Sequence, residues 1–263
     1  MYAASGHAAS VTYKKGLTFL YVTIIPLLAC ETRLKGTKML IIDHLTCEYR
    51  ENPLGIDVVA PRLGWQLHGD RAGARQTAYR ILAATDPALL AGGKADLWDS
   101  GRVESDQSQH VAYGGPHLRS RQRVYWQVTV WDESGAEAAS APAWFELGLL
   151  HRRDWKAQWI SATLRGGPAS TLPAPYLRKQ FTLLEQVVAA RLYVTAMGLY
   201  ECSINGRRVG DDVFAPGWTD YRQRIQYNVY DVTDLLQTGE NVLGAVLGDG
   251  WAVGHIGWTH RQQ

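Results

Sequence analysis

The stretch GDDVFAPGWTDYRQR, residues 210–224, gathers Asp211, Asp212, Trp218, Asp220 and Tyr221 around a Pro-Gly step. A second stretch, GDGW, carries Asp249 and Trp251, with Trp258 beyond it. Carboxylates and aromatic rings in company suit a sugar. Indole and phenol faces stack on the apolar side of a pyranose, and carboxylates accept hydrogen bonds from its hydroxyls. The same oxygens suit calcium, a hard cation that takes oxygen ligands. The competing role is architectural, with Trp218 plugging a core and the aspartates capping turns. Trp218, Asp220, Tyr221, Asp249, Trp251 and Trp258 are the candidate ligand contacts, and no catalytic or metal-ligating residue is assigned.

The elements that must hold these residues are strands. Pro216-Gly217 would break a ladder, so 210–224 reads as a loop. Ahead of it, RLYVTAMGLYECSINGRRV sets Leu192, Val194 and Ala196 against Tyr193 and Thr195. After Gly198 the alternation resumes, with Tyr200, Cys202 and Ile204 against Leu199, Glu201 and Ser203, the pattern of a half-buried strand. Asn205-Gly206 then fits a type I′ hairpin, whose two central residues both need positive φ. Behind the loop, Asp231 and Thr233 open a turn, Leu235 and Leu236 can pack inward, and Val242 to Leu247 reads as a buried strand ending in GDGW.

Upstream, RLGWQLHG, QTAYRILAAT and RVYWQVTVWDESG alternate in the same way. In the second of these, Ala78, Arg80 and Leu82 oppose Thr77, Tyr79, Ile81 and Ala83; in the third, Val124, Trp126, Val128 and Val130 oppose Tyr125, Gln127 and Thr129. DPALLAGG reads as one helical turn stopped at Gly92-Gly93. Short strands with polar turns between them indicate a β-sandwich of fibronectin type III or immunoglobulin type. No long stretch has helical period. A net charge of +2 across 263 residues gives no reason to expect nucleic acid. The three cysteines, Cys30, Cys47 and Cys202, form neither a disulfide framework nor a zinc spacing. Of the ten tryptophans, most are expected in the core.

Residues 1–38 differ from the rest. Lys14 and Lys15 precede an apolar stretch that ends in Leu27-Leu28-Ala29-Cys30, the shape of a secretory signal with a lipoprotein-type cysteine. That reading places an exported lipoprotein lipidated at Cys30. The alternative starts the protein at Met39, immediately before an ordered domain, and leaves it in the cytoplasm.

As a set and in this order, CEYRENPLGIDVVAPRLGWQL, YWQVTVWDESG, DWKAQWI, RLYVTAMGLYECSINGRRVGDDVFAPGWTDY, YDVTDLL and GENVLGAVLGDGW resemble the N-terminal region of bacterial α-L-rhamnosidases, glycoside hydrolase family 78. Parts of the later pieces are also similar to the sugar-binding domain of family 2 β-glycosidases, whereas NPLGID and PRLGWQL favour rhamnosidase. The resemblance implies an all-β chain of two β-sandwiches in tandem: a fibronectin type III/Ig-like domain over 39–150, then a galactose-binding-like jelly roll over 151–263. The second is expected to be incomplete, with fewer strand candidates than the roughly eight of such a fold. The implied parent enzyme removes terminal α-L-rhamnose by inversion in an (α/α)6 barrel, one carboxylic acid protonating the leaving oxygen and another carboxylate activating water. No segment here corresponds to that barrel, so the chain is expected to be inactive alone. The implied partners are a rhamnose-containing glycoside or polysaccharide and the C-terminal catalytic domain. No cofactor is implied beyond the calcium that some jelly rolls of the family use with rhamnose. A stand-alone rhamnose-binding module, an accessory domain of a family 2-like β-glycosidase and a purely structural scaffold are the alternatives.

Overall fold

The computed structural model describes residues 40–69, 72–163 and 173–253. The signal-like segment with Cys30, the alternative start Met39 and the candidate Trp258 lie outside them. The first sandwich holds β1 (Ile41–Cys47), β2 (Arg62–His68), β3 (Gln76–Ala84), helix α1 (Pro87–Ala91), β4 (Trp98–Asp99), β5 (Val103–Glu104), β6 (Val111–Ala112), β7 (Arg123–Asp132), β8 (Glu137–Ala139) and β9 (Ala143–Glu146). One sheet has the order β1-β2-β6; the other runs β4-β3-β7-β8, with β5 also on β3 and β9 also on β7. Trp65, Trp126, Val124, Val128, Val130, Ile81 and Phe145 fill the space between the sheets at full burial. Each large apolar side chain so buried contributes about 1.5–3 kcal/mol.

Strand β7 keeps strict alternation, buried at every second residue. Strand β3 departs from the half-buried expectation and is buried on both faces. The reason is α1, capped by the Asp86 side chain on Ala88 N–H: its Leu90 covers Leu82 and Ala84 on the face turned away from the main core.

The second sandwich contains β10 (Tyr176–Leu183), β11 (Arg191–Val194), β12 (Leu199–Ile204), β13 (Arg207–Arg208), β14 (Asn228–Asp231) and β15 (Gly239–Gly248), followed by the short helix α2 (Gly250–Val253). Its sheets run β10-β15-β12-β13 and β11-β14. Tyr200, Cys202 and Ile204 of β12 join Leu243, Ala245 and Leu247 of β15 in the core, against Leu192, Val194 and Tyr230 of the facing pair. Strand β15 begins at Gly239 and is half-buried along most of its length, not buried as its apolar run suggested. Its second face, with Val242 and Val246, lies on the outside of the sheet.

The Asn205-Gly206 turn has φ of +52° and +79°, as a type I′ hairpin requires. The Asn205 side chain does more than turn the chain. Its amide donates to Leu235 O and to Asn241 Oδ1, both at 2.9 Å, and its Oδ1 accepts Val242 N–H. Asn241 is fully buried, and its own amide donates to the Gln237 and Gly239 carbonyls. Every polar atom of this pair is satisfied, the condition for burying it without a large desolvation cost.

The tryptophans correct the expectation that most would be core residues. Trp65 and Trp126 are fully buried, while Trp159 and Trp218 are 63% and 60% exposed. Several others sit half-buried under polar partners: Arg102 lies over Trp131, Arg123 over Trp144, and Trp155 packs on Tyr227. An indole carries both an apolar face and a donor, so it tolerates such edges.

The sandwiches meet through polar contacts. Glu146 of β9 pairs with Arg123 and with Arg191 of β11, and Arg191 reaches Asp231 as well. The Tyr227 hydroxyl accepts Leu149 N–H at 2.7 Å, and Arg121 lies over the Tyr193 ring. On the connector, Arg121 N–H donates to the Leu147 and Gly148 carbonyls, Ser120 Oγ–H donates to Asp154, and Leu150 N–H donates to Ser120. Among the described residues no helix is long and apolar enough to cross a membrane.

Candidate functional site

Two hydrogen bonds from the sandwich core hold the loop between β13 and β14 on either side of Val213-Phe214. The Tyr230 hydroxyl donates to Asp212 Oδ2 at 2.8 Å and lies 3.3 Å from the Tyr200 hydroxyl, which donates to Asn228 Oδ1 at 2.9 Å. Burial, reinforced by the Asp212 bond, pushes the Tyr230 phenol up to about 12, so it remains a donor at neutral pH. The second tie is Tyr200 N–H to the Ala215 carbonyl at 3.0 Å. Between the ties, Val213 and Phe214 are thrown outward, 70% and 66% exposed. Phe214 holds φ of +56°, a costly conformation for an aromatic residue that persists only where its surroundings fix it.

The GDGW turn comes to the same place. Gly198, at φ +117°, lets the start of β12 approach the end of β15 so closely that a Cβ there would sit 2.4 Å from the Gly248 carbonyl oxygen. This approach brings Trp251 edge-on to Phe214, with ring centroids 6.1 Å apart. The two loops singled out in the sequence therefore meet, and they meet through Phe214, which the sequence reading passed over. Its one visible signal is position: an apolar residue just before Ala215-Pro216-Gly217 in a loop.

The other candidates divide. Trp218 lies on the surface, contrary to the core-plug reading. Asp220 faces its own loop: its carboxylate accepts Arg222 N–H and both Arg222 guanidinium donors, and it also accepts from the Gln223 amide. The Arg222 bonds hold the Asp220 carboxyl below the ordinary range. Tyr221 bonds weakly to the Gly217 carbonyl at 3.5 Å. Asp249 is exposed. No hydrogen bond or ring contact joins Trp218, Asp220 or Tyr221 to Asp249 or Trp251 among the described residues. Also among the described residues, no three His, Cys, Asp or Glu side chains converge as a metal site would require.

An open cleft of about 770 Å³ lies elsewhere, between Gln186–Val188 and the 233–238 segment. That segment leads into the first residue of β15, whereas Trp251 follows its last, so about 30 Å of strand separates cleft from aromatics. The aromatic end carries stacking faces, whereas the cleft is lined by Gln186, Thr233, Asp234, Gln237 and Thr238 without an aromatic ring.

A tandem of two antiparallel β-sandwiches, the second ending in an aromatic loop pair, places the chain among multidomain β-proteins. Residues 42–151 match the Rha78A-like N-terminal immunoglobulin domain, and residues 185–263 match the alpha-L-rhamnosidase N-terminal domain. The chain belongs to the α-L-rhamnosidase family and corresponds to its N-terminal portion. An alpha-L-rhamnosidase of Formosa agariphila is 40% identical over 246 residues, which is 90% of this chain and 26% of that protein. One from an Alteromonas species is 39% identical over 78% of this chain and 23% of its own length. The chain thus spans about a quarter of these relatives. Among solved structures, the alpha-L-rhamnosidase from Dictyoglumus thermophilum superposes with a TM-score of 0.76 at 34% identity, over 81% of this chain and 25% of that one. The Streptomyces avermitilis alpha-L-rhamnosidase complexed with L-rhamnose gives 0.75 at 26% identity, over 83% and 37%.

Proposed function

We propose that the chain is the accessory part of an enzyme that hydrolyses terminal α-L-rhamnose from glycosides, and that the chemistry resides in a separate catalytic domain. The observation that carries this reading is the tandem of the two matched domains, in a chain that aligns over 90% of its length with a relative named alpha-L-rhamnosidase. The aromatic end of the second sandwich then faces sugar. Phe214, Trp218 and Trp251 supply stacking faces, and Asp249 supplies an exposed carboxylate for hydroxyl groups. Asp220 serves as a strut that shapes the loop.

The test is a chimera in which this chain replaces the corresponding N-terminal quarter of the Formosa agariphila relative, assayed on an aryl α-L-rhamnoside. The chimera is expected to turn over and the 263-residue chain alone to be inactive. Turnover by the chain alone, or a folded but inactive chimera, would sink the proposal.

A further inference from the structure

The connector between the sandwiches concentrates positive charge. Its clamp, built on Ser120, Arg121 and Asp154, brings the 119–121 turn against the 151–156 segment. Arg119, Arg121, His151, Arg152, Arg153 and Lys156 are all exposed there. Arg121 is committed to the Tyr193 ring and the Asp154 carbonyl. Arg119, Arg152, Arg153 and Lys156 have no ion-pair partner among the described residues. Asp154 is the carboxylate inside the clamp: its Oδ2 accepts both Ser120 Oγ–H and His151 N–H, and the Ser120 bond, with the Arg153 charge nearby, holds its pKa below the ordinary range. Asp57 lies near Tyr227. Four exposed cations, Arg153 the one near Asp154, outnumber these carboxylates and project a positive field from one place. Just past Lys156 the chain runs without regular structure through Trp159, whose indole is 63% exposed.

We propose that this joint binds an acidic polysaccharide. Arg119, Arg152, Arg153 and Lys156 pair with carboxylate or sulfate groups along the sugar chain, and Trp159 stacks on a ring between them. Guanidinium groups match both anions bidentately, and an exposed indole accepts the apolar face of a pyranose. The choice of a polysaccharide over an acidic protein rests on reading the chain as part of a glycoside hydrolase, together with the exposed flat indole of Trp159 three residues past Lys156. None of these residues belongs to the Phe214–Trp251 loops.

The whole chain is titrated by calorimetry with the two acidic polysaccharides polygalacturonate and dextran sulfate, with neutral dextran, and with polyglutamate as an acidic-protein mimic. At least one polyanion is expected to bind, and neutral dextran not to bind; affinity should fall about tenfold or more between low and moderate salt, as exposed charges are screened. The triple variant Arg152→Glu/Arg153→Glu/Lys156→Glu should lose about tenfold in affinity, and Trp159→Ala about threefold to tenfold. The same charge change at Lys94, Arg178 and Lys179, exposed residues elsewhere, should leave affinity within about twofold. Circular dichroism and thermal midpoints verify that each variant folds. Equal losses in the control variant, no binding to either polyanion, or tighter binding to polyglutamate each overturn the proposal, the last in favour of an acidic protein partner. The titration contains no rhamnose, so its failure leaves the rhamnosidase reading to the chimera.

Discussion

Arg191 reaches out of the second sandwich to grip Glu146 of the first, with Nε 2.9 Å from Oε1 and Nη2 3.1 Å from Oε2. Their side chains are only 13% and 8% exposed, so the pair joins the domains in a poorly hydrated setting. Removing one partner strands a charge. Glu146→Ala is expected to destabilise the chain by about 3 kcal/mol in urea unfolding, because Arg123 loses its carboxylate and the buried Arg191 keeps only the half-exposed Asp231. Glu146→Leu with Arg191→Met should recover most of that loss, since burying a paired charge is itself costly. A loss for Glu146→Ala below about 1 kcal/mol would mean that the network contributes little to stability.

Asn205 separates two roles by substitution. Glycine keeps the positive φ but removes the amide, leaving the Asn241 oxygen and Val242 N–H short of a partner. Asn205→Gly should therefore cost about 2 kcal/mol or more, although a turn residue alone would lose only a few tenths. A near-neutral thermal melt for Asn205→Gly would return this asparagine to the role of a simple turn.

Alternation with period two exposed β7 and β12 correctly, because a strand writes its burial into its own neighbours. The Asn205-Gly206 turn was legible for the same local reason. The amide network was not, since Leu235, Asn241 and Val242 lie 30 to 37 residues away along the chain. Glu146 and Arg191, 45 residues apart, carry no motif at all. Trp218 was ambiguous because an indole suits a core and a surface equally. Phe214 was missed because its exposure depends on the Tyr230–Asp212 and Tyr200–Ala215 ties on either side.

Trp218→Ala and Phe214→Ala should separate binding from folding. Both side chains are largely exposed, so stability should change by no more than about 0.5 kcal/mol for Trp218→Ala. If this end of the sandwich contacts sugar, each variant weakens rhamnose-dependent shifts in the melting temperature. Unchanged shifts in both would remove these residues from the site. Asp220→Ala should show the converse, a lower melting temperature from the loosened loop.

Glu48 sets an acid limit. The Arg62 guanidinium and backbone N–H bond its carboxylate and hold its pKa below the ordinary range. A carboxylate depressed on folding stabilises the protein above its unfolded pKa of about 4.3 and loses that contribution as pH falls through the lower, folded value. Glu48→Gln is therefore expected to be less stable at pH 7 and to converge with the parent in strong acid. A constant difference across the range would show that the interaction is not charge-based.

The two cysteines of the described region should be silent in the native state. Cys202 is buried, and that burial pushes its thiol up to about 11; burial raises Cys47 as well. In a Cys30→Ser background, a disulfide reagent at pH 8 should label neither thiol until denaturant is added. Rapid native labelling would indicate local opening of β1 or β12.

Strand β15 has a consequence for synthesis. It lies between β10 and β12 in its sheet, yet it leaves the ribosome after both. Tyr176 of β10 pairs with Val246, 70 residues later, a delay of roughly 4–14 s at ordinary elongation rates. The first sandwich has all its strands by Glu146 and can close while translation continues. The second must wait with β10 unpaired, so slow codons or stalling between these points should favour mispairing between neighbouring nascent chains.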